Sequence, residues 1–187
     1  MTTVALEGGF SNPPHDAAYA FRTLMDVIAR PGRIGRLSGA TPPPGLSTAA
    51  GTLLLTLADP DTPVFLADDL NTPDVRDWVT FHTGAPLRGP SHATFAVGGW
   101  DSLRPLDVYP IGTPEYPDRS TTLIVECEVL DATGTRLTGP GIEDSAMLPL
   151  PDPDFFDRNS RCFPLGLDFY FTCGDRIAGL PRSTRIG

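Results

Sequence analysis

Apolar positions recur at helical spacing early in the chain: Phe21, Leu24, Met25 and Ile28 fall on one face. This predicts a helix capped by Asp16 and running to about Arg30. Pro31-Gly32 must end it, because proline cannot continue a helix and glycine turns the chain. Arg33 to Leu37 alternates polar and apolar residues and predicts a short strand. A proline-rich loop, Thr41 to Gly45, follows. Ser47 can cap a second helix, Thr48 to Leu57, whose Leu53, Leu54 and Leu57 face a core. Pro63 to Ala67 predicts a strand. Thr72-Pro73 opens a helix that carries Val75, Trp78 and Val79 and stops at Gly84. Ala93 to Val97 predicts a strand, and Asp101 to Pro110 has room for one helical turn.

Thr121 to Leu130 is the clearest strand, rich in β-branched and apolar residues, and Thr135 to Thr138 is placed to pair back on it as a hairpin. Pro153 to Arg161 predicts a helix. Leu167 to Thr172 and Ile177 to Leu180 predict two last strands. Helices and strands interleave around one antiparallel hairpin. The expected fold is a three-layer α/β domain with a mixed sheet, a single domain over residues 1–187.

Composition narrows the chemistry. The 187 residues suffice for one filled core. The net charge of −9 and the lack of a basic cluster speak against nucleic acid and anionic membranes as partners. All 14 basic residues are arginine. With no lysine there is no Schiff base to pyridoxal phosphate and no Walker phosphate loop, so no cofactor is expected. Cys127, Cys162 and Cys173 form no C-x-x-C pair, and His15, His82 and His92 lie far apart, so no metal site is expected. Met1 to Phe10 lacks the basic-then-apolar pattern of a secretory signal, and no apolar run approaches a bilayer span; the expected location is the cytoplasm.

Several residues carry a functional and a structural reading side by side. His82, near a helix end, suits a general base or an anion contact; it equally suits a helix-end histidine favoured by the dipole, the reading preferred here. Arg22 can hold a phosphate, pair with an acid or cover a subunit interface, the last two being the commoner roles. Asp168 can pair with an arginine across the sheet, and a buried ion pair is preferred here to a catalytic role. The tail Arg182-Ser183-Thr184-Arg185 is the densest positive feature, suited to a triphosphate, to an acidic partner surface or to plain solvation. No residue is assigned a catalytic role.

Ordered blocks then carry a resemblance. They are F-R-T-L-M-D-V-I-A-R-P-G (Phe21 to Gly32), L-L-L-T-L-A-D-P-D-T-P-V (Leu53 to Val64), F-H-T-G-A-P-L (Phe81 to Leu87), A-T-F-A-V (Ala93 to Val97), T-T-L-I (Thr121 to Ile124), L-T-G-P-G-I (Leu137 to Ile142) and F-P-L-G-L-D-F-Y-F-T-C-G-D-R-I-A-G-L-P-R-S-T (Phe163 to Thr184). In this order and spacing the chain resembles the H subunit of carbon–phosphorus lyase, the PhnH family. The resemblance implies a fold similar to the large domain of pyridoxal-phosphate-dependent transferases, a three-layer α/β/α sandwich, without the cofactor site. It implies a homodimer when isolated, and G, I and J subunits as partners in the assembled core. Together they would transfer the ribose triphosphate moiety of ATP to an alkylphosphonate during phosphonate catabolism. The alternative is a non-catalytic interaction subunit that never touches ATP or alkylphosphonate.

Overall fold

The computed structural model describes residues 7–187; the first six residues of the stretch read for a secretory signal lie outside the described residues. In chain order the elements are α1 (Pro13–Ala29), β1 (Ile34–Arg36), α2 (Thr48–Leu57), β2 (Val64–Leu66), α3 (Pro73–Thr83), β3 (Phe95–Gly99), β4 (Thr122–Glu126), β5 (Thr135–Thr138), β6 (Ala146–Leu148), α4 (Pro153–Ser160), β7 (Asp168–Cys173), β8 (Arg176–Leu180) and β9 (Arg185–Ile186). Short 3-10 turns occupy the loops at Pro90–His92, Leu106–Val108 and Pro117–Arg119.

Six strands form the main sheet in the order β1-β8-β7-β4-β3-β2. β2, β3, β4 and β7 run parallel, and β8 is antiparallel to both β7 and β1. The chain is therefore α/β with a mixed sheet. The antiparallel hairpin of this sheet is β7–β8. Thr135 to Thr138 does not pair back on β4: it leaves the main sheet and pairs with β6 and β9 in a second, three-stranded sheet. Strand propensity alone carries no information about which neighbour a strand chooses, since that is set by burial against other elements.

Side-chain alternation along the strands divides the core in two. Val64, Leu66, Val97, Ile124, Tyr170 and Ile177 face α1, α2 and α3. Ala96, Leu123, Val125, Phe169, Phe171 and Leu180 face the opposite way. That second face is covered by Phe156 of α4, by loop residues Leu103, Leu106 and Tyr109, and by Leu137 and Leu148 of the small sheet. One outer layer is thus helical. The other mixes a single helix, a small sheet and turns, because the chain between β3 and β4 holds only 3-10 turns.

The local signals explain the helix boundaries. Ser47 Oγ accepts from the Ala50 N–H at 3.1 Å, and Thr72 Oγ1 from the Val75 N–H at 3.3 Å, both at N-caps. Gly84, at φ 71°, closes α3 in the left-handed conformation. The first helix starts earlier than its sequence predicts. Asn12 occupies the N-cap, Pro13 and Pro14 fill the first turn, and the Asp16 carboxylate reaches back to the Asn12 N–H at 2.8 Å. The buried face is also rotated. Ala20, Leu24 and Val27 are buried, whereas Phe21 and Met25 are 48% and 49% exposed.

α1 lies unusually close to the sheet, and glycine permits it. A Cβ at Gly179 on β8 would stand 2.7 Å from Ile28 Cα and 2.8 Å from the Ile28 nitrogen, which are backbone atoms that cannot rotate away. Gly179→Ala is expected to destabilise the fold by about 1–3 kcal/mol, the usual cost of overpacking. The urea midpoint reports it, and an unchanged midpoint would mean that α1 is not seated on β8.

Candidate functional site

The two ends of the parallel strands differ in character. At the N-terminal end, Asp168 opens β7 and its carboxylate meets Arg182, which follows β8. Asp168 Oδ1 accepts from the Arg182 backbone N–H at 2.8 Å and from Nε at 3.1 Å, and Oδ2 accepts from Nη2. The same guanidinium donates to the carbonyls of Pro117 at 2.9 Å and Pro164 at 3.4 Å, and to Ser120 Oγ. The Arg182 side chain is only 11% exposed. Its donors are engaged by two loops and a strand, so this arginine pins loop ends together. A guanidinium so occupied has little left for a triphosphate.

The other residues singled out from the sequence lie apart from this pair. Arg185 is exposed in β9. Thr184 is buried, and its Oγ1 has no hydrogen-bond partner among the described residues. Arg22 is exposed on α1 with its guanidinium 5.7 Å from the Tyr19 ring centroid. His82 sits at the end of α3, where its Nε2 is 3.1 Å from the Glu7 carbonyl; Trp78 Nε1 donates to that same carbonyl at 3.0 Å. His82 thus clips the N-terminal segment onto α3, beside Gly9, where a Cβ would press on the ring. Only Asp168 and Arg182 are brought together.

The C-terminal end of the strands gathers residues that the sequence reading did not single out. Glu126 ends β4. Its Oε1 accepts from the Ser47 N–H at 2.7 Å, at the mouth of α2, and its Oε2 accepts from Thr172 Oγ1 on β7 at 2.9 Å. Burial raises the Glu126 pKa above its ordinary value; the hydrogen bonds from Ser47 and Thr172 oppose the rise, and the nearby Asp69 charge adds to it. Asp69, following β2, accepts from the Gly99 N–H at 2.9 Å. Gly98 and Gly99 leave room for it, since a Cβ on either would stand 3.0–3.2 Å from its carboxylate. Burial also pushes the Cys127 thiol up to about 12, with Glu126 and Cys173 contributing, so this thiol stays protonated at neutral pH and is a poor nucleophile.

Glu126 thus joins α2, β4 and β7 through one carboxyl group that holds its proton more tightly than usual. The signal was present in the sequence: an acid closes the apolar strand T-L-I-V-E, Asp68-Asp69 follows β2, and Trp100 follows β3. Polar residues just beyond the carboxyl ends of parallel strands are where ligands of open α/β sheets bind.

The raised pKa has a consequence for stability. A folded-state pKa above the unfolded one means that protonation favours folding; the contribution is complete below the ordinary value of 4.5 and is lost as pH rises through the raised value. Glu126→Gln keeps the shape and cannot ionise. Relative to wild type, the variant is expected to gain stability as pH rises from 4.5 towards neutrality, seen as diverging melting temperatures. Parallel curves across that window would contradict the assignment.

Among the described residues no group of three or more His, Cys, Asp or Glu is arranged to hold a metal, and no helix is long and apolar enough to cross a membrane. Comparison with known proteins gives concordant results. Residues 8–187 match the family model described as bacterial phosphonate metabolism protein (PhnH). The chain is 41% identical over 190 residues to the alpha-D-ribose 1-methylphosphonate 5-triphosphate synthase subunit PhnH of Rhizobium meliloti (strain 1021), covering 96% of this chain and 94% of that protein. It is 30% identical over 200 residues to the putative C-P lyase subunit protein HtxG of Stutzerimonas stutzeri, covering 96% of this chain and 95% of that protein.

Proposed function

Because this chain belongs to the PhnH family of bacterial phosphonate metabolism proteins, we propose that it is a subunit of a carbon–phosphorus lyase assembly. In this reading it works in the cytoplasm with G, I and J partner subunits, and the assembly transfers the ribose triphosphate moiety of ATP to an alkylphosphonate. The carrying observation is the match along residues 8–187, together with 41% identity to a subunit named for that synthase. The sheet order and the reversed β8 support, as part of the same proposal, a likeness to the large domain of pyridoxal-phosphate-dependent transferases. The chain has no lysine with which to hold that cofactor covalently.

The test is adenine release. The chain alone should release no adenine from ATP plus methylphosphonate, and the reconstituted assembly should release it. Release by the chain alone would overturn the reading.

A purely interacting subunit is the second reading, and α1 favours it. Ala18, Phe21, Met25 and Ala29 form an outward apolar stripe, with Tyr19 65% exposed beside it. In the isolated protein this stripe is the surface expected to form the homodimer. Met25→Asp should shift sedimentation from dimer to monomer while circular dichroism shows the protomer still folded. A wild-type monomer at micromolar concentration, or a variant that remains dimeric, would remove α1 from that role.

A further inference from the structure

The structure holds a second feature at the carboxyl end of β3. Trp100 follows the strand directly and packs on the aromatic cluster behind the sheet, with its ring centroid 5.3 Å from Phe156 and 5.9 Å from Phe155. In front of Trp100 lies a cleft of about 550 Å³, walled by Trp100, Phe155 and Leu106 and edged by Arg104, Asp107, Asp152 and Arg158. That volume is within the range of small-molecule sites, roughly 300–1,000 Å³.

We propose that this cleft binds a nucleobase-type planar heterocycle, with the arginines placed for a phosphate attached to it. The lining selects this class. The Trp100 and Phe155 rings, set at 70° to each other, offer aromatic surface on which a base can stack, since each base has a π-face. The edge carries both kinds of polar partner: Asp107 and Asp152 accept from amino and ring N–H groups, while Arg104 and Arg158 donate to ring acceptors or phosphate oxygens. A lipid tail would meet four charged groups. A simple anion would meet two carboxylates. A base edge that both donates and accepts uses all of them. The arginines are available to different degrees. Among the described residues Arg158 has no carboxylate partner, and Arg104 stands 3.9 Å from Asp152, whose other oxygen accepts from the Phe155 N–H at the start of α4. The position fits too, since ligands of open α/β sheets bind beyond the carboxyl ends of the strands.

The inference rests on the proposed function only for the nucleotide to try first. The chain has two tryptophans; Trp78 is buried under α3 on the other side of the sheet, so Trp100 is the reporter. The full chain is titrated with AMP, and with ribose 5-phosphate as the control that lacks the base. AMP is expected to quench emission saturably and ribose 5-phosphate is not. Arg158→Gln should weaken AMP binding by roughly tenfold, the loss of one charge-assisted phosphate contact. Asp107→Asn, a second exposed position, should weaken it also, and Trp100→Phe should abolish the quench while calorimetry still detects binding. No saturable AMP signal into the millimolar range overturns the proposal. So does equal binding of ribose 5-phosphate, or AMP binding indifferent to both Arg158→Gln and Asp107→Asn. Failure here with partner subunits still co-purifying sinks the cleft alone; AMP binding without co-purification sinks the assembly reading and leaves the cleft.

Discussion

Arg182→Met is expected to cost about 3 kcal/mol of folding stability, the low end of the range found when one member of a buried ion pair is removed, because the Asp168 side chain keeps 26% of its surface exposed. The loss is not that of a single contact. The Asp168 carboxylate would be left with the Arg182 backbone N–H, and the carbonyls of Pro117 and Pro164 and the Ser120 hydroxyl would each lose a donor. Lysine cannot replace the planar fork, so Arg182→Lys should fall nearer to methionine than to wild type. The double variant Asp168→Asn with Arg182→Met removes the orphaned charge and should recover part of the loss. Urea unfolding of the four proteins measures the cycle. Additive losses would show that the two side chains do not act together.

Phe169→Ala should be comparably severe. Phe169 is fully buried on β7, 4.9 Å from the Phe156 ring and 6.2 Å from that of Phe171, with Phe155 and Trp100 at 6.1 and 6.5 Å. Removing it opens a cavity among rigid neighbours from β7, α4 and the turn after β3, which cannot close without moving the sheet. Deletion of a buried phenylalanine costs about 3–5 kcal/mol. Calorimetric melting should show a large fall in Tm with the transition still cooperative. A loss under about 1 kcal/mol would mean that these rings are loosely packed, since cavity cost depends on how well a site can collapse.

Much of the fold could be read from local patterns, because those patterns act locally. Ser47 and Thr72 cap the helices that their sequences suggest, and Gly84 ends α3. The apolar runs around Leu123, Phe169 and Ile177 are strands of the main sheet. Pairing was not readable. Nothing near Thr135 to Thr138 reveals that β5 joins β6 and β9 rather than β4. The helix faces were only half readable: Phe21 and Met25 have helical spacing, yet Gly35 and Gly179 draw α1 onto the sheet through Ala20, Leu24 and Val27. For the same reason the C-terminal cluster stayed hidden. Ser47, Asp69, Glu126 and Thr172 are distant in sequence, and only the parallel register of β2, β3, β4 and β7, with α2 docked so that Ser47 meets Glu126, sets them side by side.

The role proposed for this chain is that of a subunit working among others. The most direct measurement is affinity purification of the tagged chain co-expressed with G, I and J partner subunits, followed by mass determination of the intact complex. A single stoichiometric assembly containing all four polypeptides is the predicted result. Recovery of this chain alone, with the other three still assembling without it, would contradict the account.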